Sequence, residues 1–334
     1  MKILVTGGAG YIGSFMTKHL LDNNHEVVVT DSLERGHEDA IDGRATFLKG
    51  NLLDKQFVAQ VFAQHRFDGV IHFAGYISMK ESMQNPSIYF EDNVFASMHI
   101  FDEMVKQKQN NVIFSSTAGV YGNPVTVPIP ENHQTNPTNS YGESKLMVEH
   151  ILKWYNTIHQ LNYTALRYFN AAGAALDGSM GERHEPETHI IPNAIHSVLE
   201  KKPFTLYGTD YHTPDGTCVR DYIHVLDLVD AHMRALEQLH NKPGGYTYNV
   251  GTGKGYSNKE VIDTVKKVSQ ADVIVETAER RPGDAEALVA DASRIQSDLG
   301  FSPKYSDLET IVSSAWKWHN ANNHSSFPID KMTS

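Results

Sequence analysis

A tyrosine and a lysine lie four residues apart in the run Tyr141-Gly-Glu-Ser-Lys145, at the start of a stretch with helical periodicity. A spacing of four places both side chains on one face of a helix. A phenol with an ordinary pKa of about 10 is a poor base at neutral pH, but a neighbouring ammonium favours the phenolate. The pair therefore predicts a tyrosine general base whose pKa is adjusted by Lys145. Upstream, Ser115-Ser-Thr117 ends a predicted strand and offers hydroxyls to the same place.

A glycine-rich loop, Gly7-Gly-Ala-Gly10-Tyr-Ile-Gly13, follows the first apolar run and opens a helical segment. This spacing allows a tight turn and lets the backbone approach a pyrophosphate at the helix N-terminus. Asp31 ends the second apolar run, 18 residues beyond Gly13. A carboxylate at that place accepts hydrogen bonds from the adenosine ribose and disfavours a 2′-phosphate. The loop and the acid together predict NAD, rather than NADP, as the cofactor.

Short apolar runs alternate with helical segments through the first half of the chain, which is typical of parallel βαβ units. The predicted α/β fold is a doubly wound parallel (Rossmann) sheet over residues 1–170, with a second, smaller α/β substrate lobe over 171–325. Segments within 219–251 are expected to return to the main sheet, and 326–334 to form a loose tail. The predicted strands are Ile3–Thr6, Glu26–Asp31, Ala45–Lys49, Gly69–Phe73, Asn111–Ser115 and Tyr163–Tyr168, and the predicted helices are Tyr11–Asp22, Lys55–Gln64, Pro86–Gln107 and Tyr141–Gln160.

The composition excludes several classes of protein. A formal net charge of −11 over 334 residues argues against a nucleic-acid partner, which needs a basic face. No apolar run approaches the roughly 20 residues needed to span a bilayer, and the chain passes from Met1 directly into a strand-like run, so a cytoplasmic location is expected. The single cysteine, Cys218, forms no internal disulfide. His184 and His189 lie five residues apart across a proline and so do not share a helix face, and no metal site is expected.

Further stretches complete a recognisable set in order along the chain. They are His72-Phe-Ala-Gly75, Ser115-Ser-Thr-Ala-Gly-Val-Tyr-Gly122, Leu166-Arg-Tyr-Phe-Asn170, Asp215-Gly-Thr-Cys-Val-Arg-Asp-Tyr-Ile-His-Val225, Asn249-Val-Gly-Thr-Gly253 and Arg280-Arg-Pro-Gly-Asp284. With the glycine loop and the Tyr-Lys pair, the chain resembles the extended short-chain dehydrogenase/reductase superfamily, and within it the UDP-galactose 4-epimerases, over essentially its full length.

The resemblance implies an isomerase of carbohydrate metabolism that uses tightly bound NAD and passes through a 4-keto sugar. Tyr141 would be the base, Lys145 would tune it and hold the nicotinamide ribose, and Thr117 would bind the sugar 4-hydroxyl. The implied cofactor contacts are Gly7, Gly10, Tyr11, Ile12, Gly13, Asp31, Ser32, Asn51, Leu52, Phe73, Ala74, Gly75, Asp92, Ser115, Tyr141, Lys145 and Tyr168. The implied UDP-sugar contacts are Thr117, Tyr141, Asn170, His189, Ile190, Thr205, Tyr207, Arg220, Arg281, Asp284 and Leu288.

The chain departs from the family pattern at four positions. Asn51 stands where an aspartate usually meets the adenine, and its amide oxygen can still accept a hydrogen bond from the adenine amino group. Asp92 replaces an asparagine near the cofactor, and the sequence offers no reason for it. Ile77 stands where some members have a cofactor-contacting lysine, so that contact is lost. Leu288 stands where some members have a tyrosine beside the sugar 2-substituent, and a leucine is expected to leave partial room for an N-acetyl group.

Three alternative functions are open to a chain with this loop. A sugar-nucleotide 4,6-dehydratase needs an acidic pair after Thr117, where this chain has Ala118-Gly119. A 4-epimerase for another UDP-sugar, such as UDP-N-acetylglucosamine, UDP-glucuronate or UDP-xylose, uses the same chemistry. A non-catalytic dinucleotide sensor has no need of Tyr141 and Lys145. A homodimer is expected through the helices Pro86–Gln107 and Tyr141–Gln160, which match those through which relatives pair.

Overall fold

The centre of the protein is a sheet of seven parallel strands in the order β10-β6-β5-β4-β1-β2-β3. The structure is a computed structural model, and it describes residues 1–281 and 284–322. Within those residues the strands are β1 (Lys2–Thr6), β2 (Glu26–Asp31), β3 (Thr46–Lys49), β4 (Gly69–His72), β5 (Asn111–Thr117), β6 (Asn162–Tyr168), β7 (Asn170–Ala172), β8 (Phe204–Tyr207), β9 (Val219–His224), β10 (Gly245–Val250), β11 (Gly255–Ser257), β12 (Val275–Ala278) and β13 (Ala287–Leu288).

Helices cover both faces of this sheet, as the alternation of apolar runs and helical segments predicts. They are α1 (Tyr11–Asp22), α2 (Lys55–Gln64), α3 (Met79–Ser82), α4 (Pro86–Phe90), α5 (Ala96–Lys106), α6 (Ser140–His159), α7 (Ile190–Glu200), α8 (Val225–Asn241), α9 (Asn258–Ser269), α10 (Ser293–Leu299) and α11 (Leu308–Asn322). A π-helical turn, Glu91–Phe95, joins α4 to α5. Nowhere in residues 1–281 and 284–322 is a helix both long and apolar enough to span a membrane.

Two apolar layers bury the faces of the main sheet. One contains Ile3, Val5 and Ile71 with residues of α1 and α8, and the other contains Leu4, Val28 and Val70 with residues of α2, α5 and α6. Consecutive residues of one strand thus point into opposite layers, and both layers are apolar. This is why the strands are continuous apolar runs rather than alternating ones.

The remaining strands form a smaller unit beside the carboxyl ends of the main sheet. β9 pairs with β7, β11 and β13, and β8 pairs with β12. Helices α7, α9 and α11 pack together over these strands around a third apolar cluster. The architecture is the expected doubly wound α/β sheet with a second, smaller α/β lobe.

The segment 219–251 divides between the two sheets. β10 lies at the edge of the main sheet beside β6, and α8 packs against β5 and β6. β9 was expected to return to the main sheet, and this was wrong. It pairs instead with the short strands β7, β11 and β13. The boundaries at 170 and 325 stay predictions, and the tail 326–334 falls outside the described residues.

Candidate active site

The glycine loop forms a cradle that side chains would fill. Gly7 has a φ of +69°, and a Cβ atom there would lie 2.6 Å from the backbone nitrogen of Ala74. A Cβ atom on Gly13 would lie 2.1 Å from the carbonyl oxygen of Gly7. No side chain caps α1 at Gly10. The N-terminus of α1, at Tyr11 and Ile12, is therefore open to an anionic group, which fits the pyrophosphate of NAD.

Asp31 fixes the geometry of the adjacent loop. Its carboxylate accepts hydrogen bonds from the amide nitrogens of Ala9 (3.0 Å) and Leu33 (2.9 Å). Because these bonds join the ends of β1 and β2, Asp31 lies at the edge of the sheet where its predicted contact with the adenosine ribose requires it. Ser32 follows it and accepts a hydrogen bond from the amide of Glu34 at 3.3 Å.

Asn51, which is predicted to meet the adenine, belongs to a group of four neighbouring polar side chains with Glu34, Tyr76 and Asp92. Glu34 accepts hydrogen bonds from the Tyr76 hydroxyl at 2.6 Å and from the Asn51 amide at 3.3 Å. The Asn51 oxygen accepts a hydrogen bond from the amide of Leu53 at 2.8 Å and keeps one lone pair for another donor. Burial, with Glu34 and Glu91 nearby, raises the pKa of Asp92 to about 6. The sequence did not identify Glu34 and Tyr76, which sit in a loop without a spacing signal.

The π-helical turn brings Asn93 to the centre of this site. Its side-chain oxygen accepts a hydrogen bond from the amide of Tyr76 (2.8 Å), and its amide donates to the Ser144 hydroxyl (3.0 Å). A Cβ atom on Gly75 would lie 2.6 Å from the Asn93 oxygen and 3.5 Å from the ammonium of Lys145. Asn93 therefore holds the loop after β4 against α6. The sequence signal that could have revealed this role is the presence of an asparagine, Asn93, within a largely apolar helical stretch.

Tyr141 and Thr117 meet where β5 ends and α6 begins. Tyr141 is 9% exposed, as is Thr117. Burial raises the pKa of the Tyr141 phenol, and a hydrogen bond with the Thr117 side chain opposes that rise. Thr117 in turn accepts a hydrogen bond from the amide of Gly119 at 3.0 Å, which fixes its rotamer. The geometry places a phenol and a hydroxyl side by side.

Lys145 lies one helical turn after Tyr141 on the same helix, and its effect on the phenol's pKa stays a prediction. Its ammonium donates to the carbonyl oxygen of Ser115 at 3.0 Å and lies 5.0 Å from the centre of the Phe114 ring. Burial lowers the pKa of Lys145 to about 8. Burial has the largest effect on the pKa of Tyr141, and the Thr117 side chain opposes it.

The remaining predicted cofactor residues line the ends of β4, β5 and β6. The Ser115 and Tyr168 hydroxyls are 2.5 Å apart, and the Phe73 ring lies 4.8 Å from that of His232. The Ala74 amide donates to the Thr6 hydroxyl at 3.4 Å. Leu52 is buried at the end of β3, 9% exposed. By contrast, Ile77 is 44% exposed.

Two of the predicted substrate residues are adjacent across β9 and β13. Leu288 pairs in register with Arg220, and the Arg220 guanidinium lies 3.9 Å from the Asp284 carboxylate. Leu288 packs against the apolar cluster that includes Ala118, immediately after Thr117. The amide of Asn170 donates to the carbonyl oxygen of Asp221 at 3.0 Å. This arrangement places Leu288 on the same side of the molecule as the Tyr141–Thr117 pair.

The other predicted substrate residues lie on β8 and at the start of α7. Thr205 and Tyr207 alternate along β8 and so face the same side. The Arg281 guanidinium lies 4.0 Å from the centre of the Tyr207 ring. His189 precedes α7, which begins at Ile190 and has no side-chain cap. These residues provide exposed cations and an open helix N-terminus, both suited to a diphosphate.

Two buried polar networks connect several of the sequence stretches that carry the family resemblance. The Arg167 guanidinium donates to the Glu149 carboxylate (2.9 Å from Nε) and to the Tyr121 hydroxyl (3.0 Å), and that hydroxyl donates to Asn249 (2.7 Å). In a second network, the buried Asp221 accepts hydrogen bonds from several backbone amides. These amides belong to Thr252, Gly253 and Ala290. Sequence reasoning missed both networks because the partners have no local spacing.

Comparison with known proteins agrees with this site. Residues 3–251 match the model of the NAD dependent epimerase/dehydratase family. The UDP-glucose 4-epimerase of Halalkalibacterium halodurans is 43% identical over 325 residues, which cover 97% of each chain.

Two solved structures have the same fold over nearly the full length. The UDP-glucose 4-epimerase from Brucella ovis in complex with NAD is 41% identical, with a TM-score of 0.91 over 94% of this chain and 97% of that one. The UDP-Glc/GlcNAc 4-epimerase from Campylobacter jejuni is 40% identical, with a TM-score of 0.84 over 96% of this chain and 99% of that one. On its sequence, its fold and the geometry of its site, the chain belongs to the NAD dependent epimerase/dehydratase family.

Proposed function

We propose that this protein interconverts UDP-galactose and UDP-glucose by inverting C4 of the hexose, with NAD bound throughout the reaction. The observation that carries the proposal is that the Tyr141 phenol and the Thr117 side chain lie together where β5 ends and α6 begins. This pair lies at the carboxyl edge of the sheet that carries the glycine loop, where doubly wound folds bind their ligands. Relatives of known activity with this fold are UDP-glucose 4-epimerases.

The chemistry of the two hydroxyls is proton transfer at the sugar. Tyr141 takes the proton from the 4-hydroxyl, and Thr117 orients that hydroxyl by a hydrogen bond. Bound NAD would supply the hydride acceptor for C4 and the hydride donor for the opposite face of the 4-keto sugar. Burial raises the pKa of Tyr141, and the positive charge of an oxidised nicotinamide would act against that rise and favour the phenolate. Lys145 holds the nicotinamide ribose.

Inversion requires the UDP to be held firmly while the sugar turns. Arg220 and Arg281 supply cations for the diphosphate, and Asn170, Thr205 and Tyr207 hold the nucleotide. These side chains come from β7, β8, β9 and the segment before β13, so UDP would tie the smaller lobe together. With the nucleotide held there, a sugar placed between the Tyr141–Thr117 pair and the apolar surface at Leu288 would be free to turn about the diphosphate.

A second candidate activity is the same reaction on UDP-N-acetylhexoses. It rests on Leu288, a partly buried residue beside the cluster that includes Ala118. A leucine is shorter than a tyrosine and leaves space for a larger 2-substituent. The Campylobacter jejuni relative is named as a UDP-Glc/GlcNAc 4-epimerase. We infer efficient turnover of the UDP-hexose pair and weaker turnover of the N-acetyl pair.

We also propose a homodimer that forms through α5 and α6. Large apolar side chains on these helices and the adjoining π turn are exposed: Phe95 at 52%, Trp154 at 65% and Ile158 at 62%. A second copy of the chain would bury them. Light scattering coupled to gel filtration tests this, since Trp154→Glu should convert the dimer to a monomer.

The cytoplasmic location stays a prediction.

The decisive experiment is a panel of UDP-sugars assayed with protein purified without added cofactor. We expect rapid interconversion of UDP-glucose and UDP-galactose, little turnover of UDP-glucuronate and UDP-xylose, and release of NAD or NADH on denaturation. Because hydride leaves and returns within one turnover, no external hydride acceptor should be needed. Full activity of exhaustively NAD-depleted protein would contradict the mechanism.

A further inference from the structure

Two glutamates and two histidines converge in the connection between β7 and α7. They are Glu182, His184, Glu187 and His189, called here the Glu/His cluster, and one ligand atom of each lies within 4.8 Å of the others. The segment 173–189 contains neither helix nor strand. The sequence argument against a metal assumed a helix, on which a spacing of five separates two side chains. It does not apply to a loop, which brings these side chains together by folding back.

The distances within the Glu/His cluster suit a small tetrahedral ion. Oε1 of Glu182 lies 2.9 Å from Nδ1 of His184 and 2.6 Å from Nδ1 of His189. The Glu187 carboxylate lies 3.3 Å from Nδ1 of His189 and 3.9 Å from Nδ1 of His184. Zinc bonds of about 2.0–2.2 Å at tetrahedral angles place neighbouring ligand atoms about 3.3 Å apart. These four distances lie on both sides of that value, and all the ligand atoms lie within 4.8 Å of one another, so side-chain rotations would bring them around one ion.

The hydrogen bonding in the cluster is incomplete. Nδ1 of His189 is buried and has no partner of acceptable hydrogen-bond geometry among the described residues, although a Glu182 oxygen is 2.6 Å away. Both histidines direct Nδ1 to the same Glu182 oxygen, and the Glu182 side chain is only 4% exposed. This nitrogen is thus held by close ion pairs with Glu182 and Glu187 rather than by a well-aligned hydrogen bond, and hydrogen bonds weaken when they are poorly aligned. A cation among the four ligand atoms would satisfy all of them together.

We propose that the Glu/His cluster binds one Zn²⁺ ion through Glu182, His184, Glu187 and His189. Two imidazole nitrogens and two carboxylate oxygens are ligands that zinc takes in proteins, whereas Mg²⁺ and Ca²⁺ take oxygen ligands. Four protein ligands complete the tetrahedron and leave no open position, so the ion has a structural role. Zinc replaces the protons that otherwise lie between these side chains.

The ion would hold a junction between the two lobes. The Glu182 carbonyl oxygen accepts a hydrogen bond from the Trp318 indole at 3.0 Å, and the next residue's carbonyl oxygen lies 3.0 Å from Nε2 of His37. The His184 ring lies 6.3 Å from the ring of Tyr11, at the start of the glycine-loop helix. One ligand set thus connects α1, the loop after β2, and α11.

Zinc on Nδ1 would also fix the tautomer of His189, with its hydrogen on Nε2. This part rests on the proposed function, in which His189 contacts the nucleotide. Zinc binding itself does not depend on that function, and metal content reports it without any assay of turnover.

The test compares the NAD-containing wild type with His184→Ala, Glu187→Gln and the control His25→Ala. His25 is a partly buried histidine at the amino ends of the strands, where its ring nitrogen lies 3.2 Å from the N-terminal amine. Each protein is loaded with zinc chloride, desalted and analysed by elemental mass spectrometry. We expect about one zinc per chain in wild type and His25→Ala, and at least a tenfold weaker competition against a chromogenic chelator in the two cluster variants.

Cobalt provides an independent measurement. Co²⁺ in place of zinc should give the strong visible absorption of a tetrahedral site in wild type and not in Glu187→Gln, which keeps the shape of the side chain. Zinc should also raise the thermal midpoint of wild type and His25→Ala and leave that of the cluster variants unchanged. Substoichiometric zinc in wild type, or equal zinc affinity in wild type and both cluster variants, would overturn the proposal.

Discussion

The guanidinium of Arg167 and the carboxylate of Glu149 form a buried ion pair beneath the active site, with side chains 8% and 7% exposed. β6 provides the arginine and α6 the glutamate, and Ser116, next to Thr117, donates to the same carboxylate at 2.5 Å. Glu149 therefore joins the helix that carries Tyr141 to β6 and, through Ser116, to β5, the strand that carries Thr117. Removing one partner leaves an uncompensated buried charge.

We expect Arg167→Met to lower the free energy of unfolding by about 3–5 kcal/mol, and Glu149→Gln to be less harmful because its amide keeps one hydrogen bond. The double variant Arg167→Met/Glu149→Met should recover much of the loss. Urea unfolding measures each value. As the matched control, breaking the more exposed pair Arg234–Asp230 (side chains 34% and 36% exposed) should cost under about 1 kcal/mol. An equal decrease in the free energy of unfolding at both pairs would show that burial does not make the Arg167–Glu149 pair more important for stability.

Tyr141→Phe should fold, retain NAD and bind UDP-hexose, while kcat falls by about 10²–10⁴-fold through loss of the general base. Coupled assay of UDP-galactose consumption measures kcat, and absorbance of the denatured supernatant measures NAD. Tyr155→Phe is the control. The Tyr155 hydroxyl donates to the Asp102 carboxylate at 2.5 Å, outside the predicted site, so this variant should remain active. Wild-type turnover by Tyr141→Phe would move the base elsewhere, with Thr117 the next group to test.

Asp92→Asn should stabilise the protein most above pH 7, and this stabilisation should become smaller as the pH falls through 6 towards 4. The folded-state pKa of Asp92 is raised to about 6, so the protonated form is favoured on folding. The contribution of this residue is present at low pH and is lost as the pH rises through about 6. Thermal midpoints of both proteins at pH 5 and pH 8 measure this. The exposed Glu143→Gln on α6 serves as the control, and a pH-independent difference for Asp92→Asn would contradict the prediction.

Leu288→Tyr should selectively reduce turnover of UDP-N-acetylglucosamine, and Leu288→Ala should raise it. Filling or emptying a pocket by a few heavy atoms changes discrimination by about 1–3 kcal/mol. The ratio of kcat/KM for the N-acetyl and plain substrates is the measurement, with turnover of UDP-glucose as the internal control. The same ratio in wild type and both variants would show that residue 288 does not border the sugar.

The sequence predicted most of the main sheet to within two residues at each strand end. This succeeded because strands buried on both faces are short apolar runs bounded by polar turns, as in Glu26–Asp31. It failed at β9, whose apolar run resembles a core strand although the strand lies in the second sheet. Its partners β7, β11 and β13 have only two or three residues. Strands so short carry no periodicity that would reveal the pairing.

In the site, too, residues that are close in the sequence were predictable, and partners that are far apart in the sequence were not. The glycine loop and the pair Tyr141–Lys145 are visible because helical and turn spacings are local. The other contacts of the local pair were less predictable, since Lys145 donates to the Ser115 carbonyl and the Thr117 side chain lies beside Tyr141. Asp221 meets the amide of Thr252 from 31 residues away. Only the folded chain brings such partners together.

The π-helical turn Glu91–Phe95 constrains how this protein can vary in length. Such a turn holds one residue more than an α-helical turn. Deleting a single residue there would restore a continuous α-helix from Pro86 to Lys106 and rotate the preceding part of the helix by about 100° relative to the rest. Asn93 would then turn away from Tyr76 and Ser144, and the loop after β4 would lose its attachment to α6. A deletion tolerated elsewhere in the helix should therefore abolish cofactor retention at this turn.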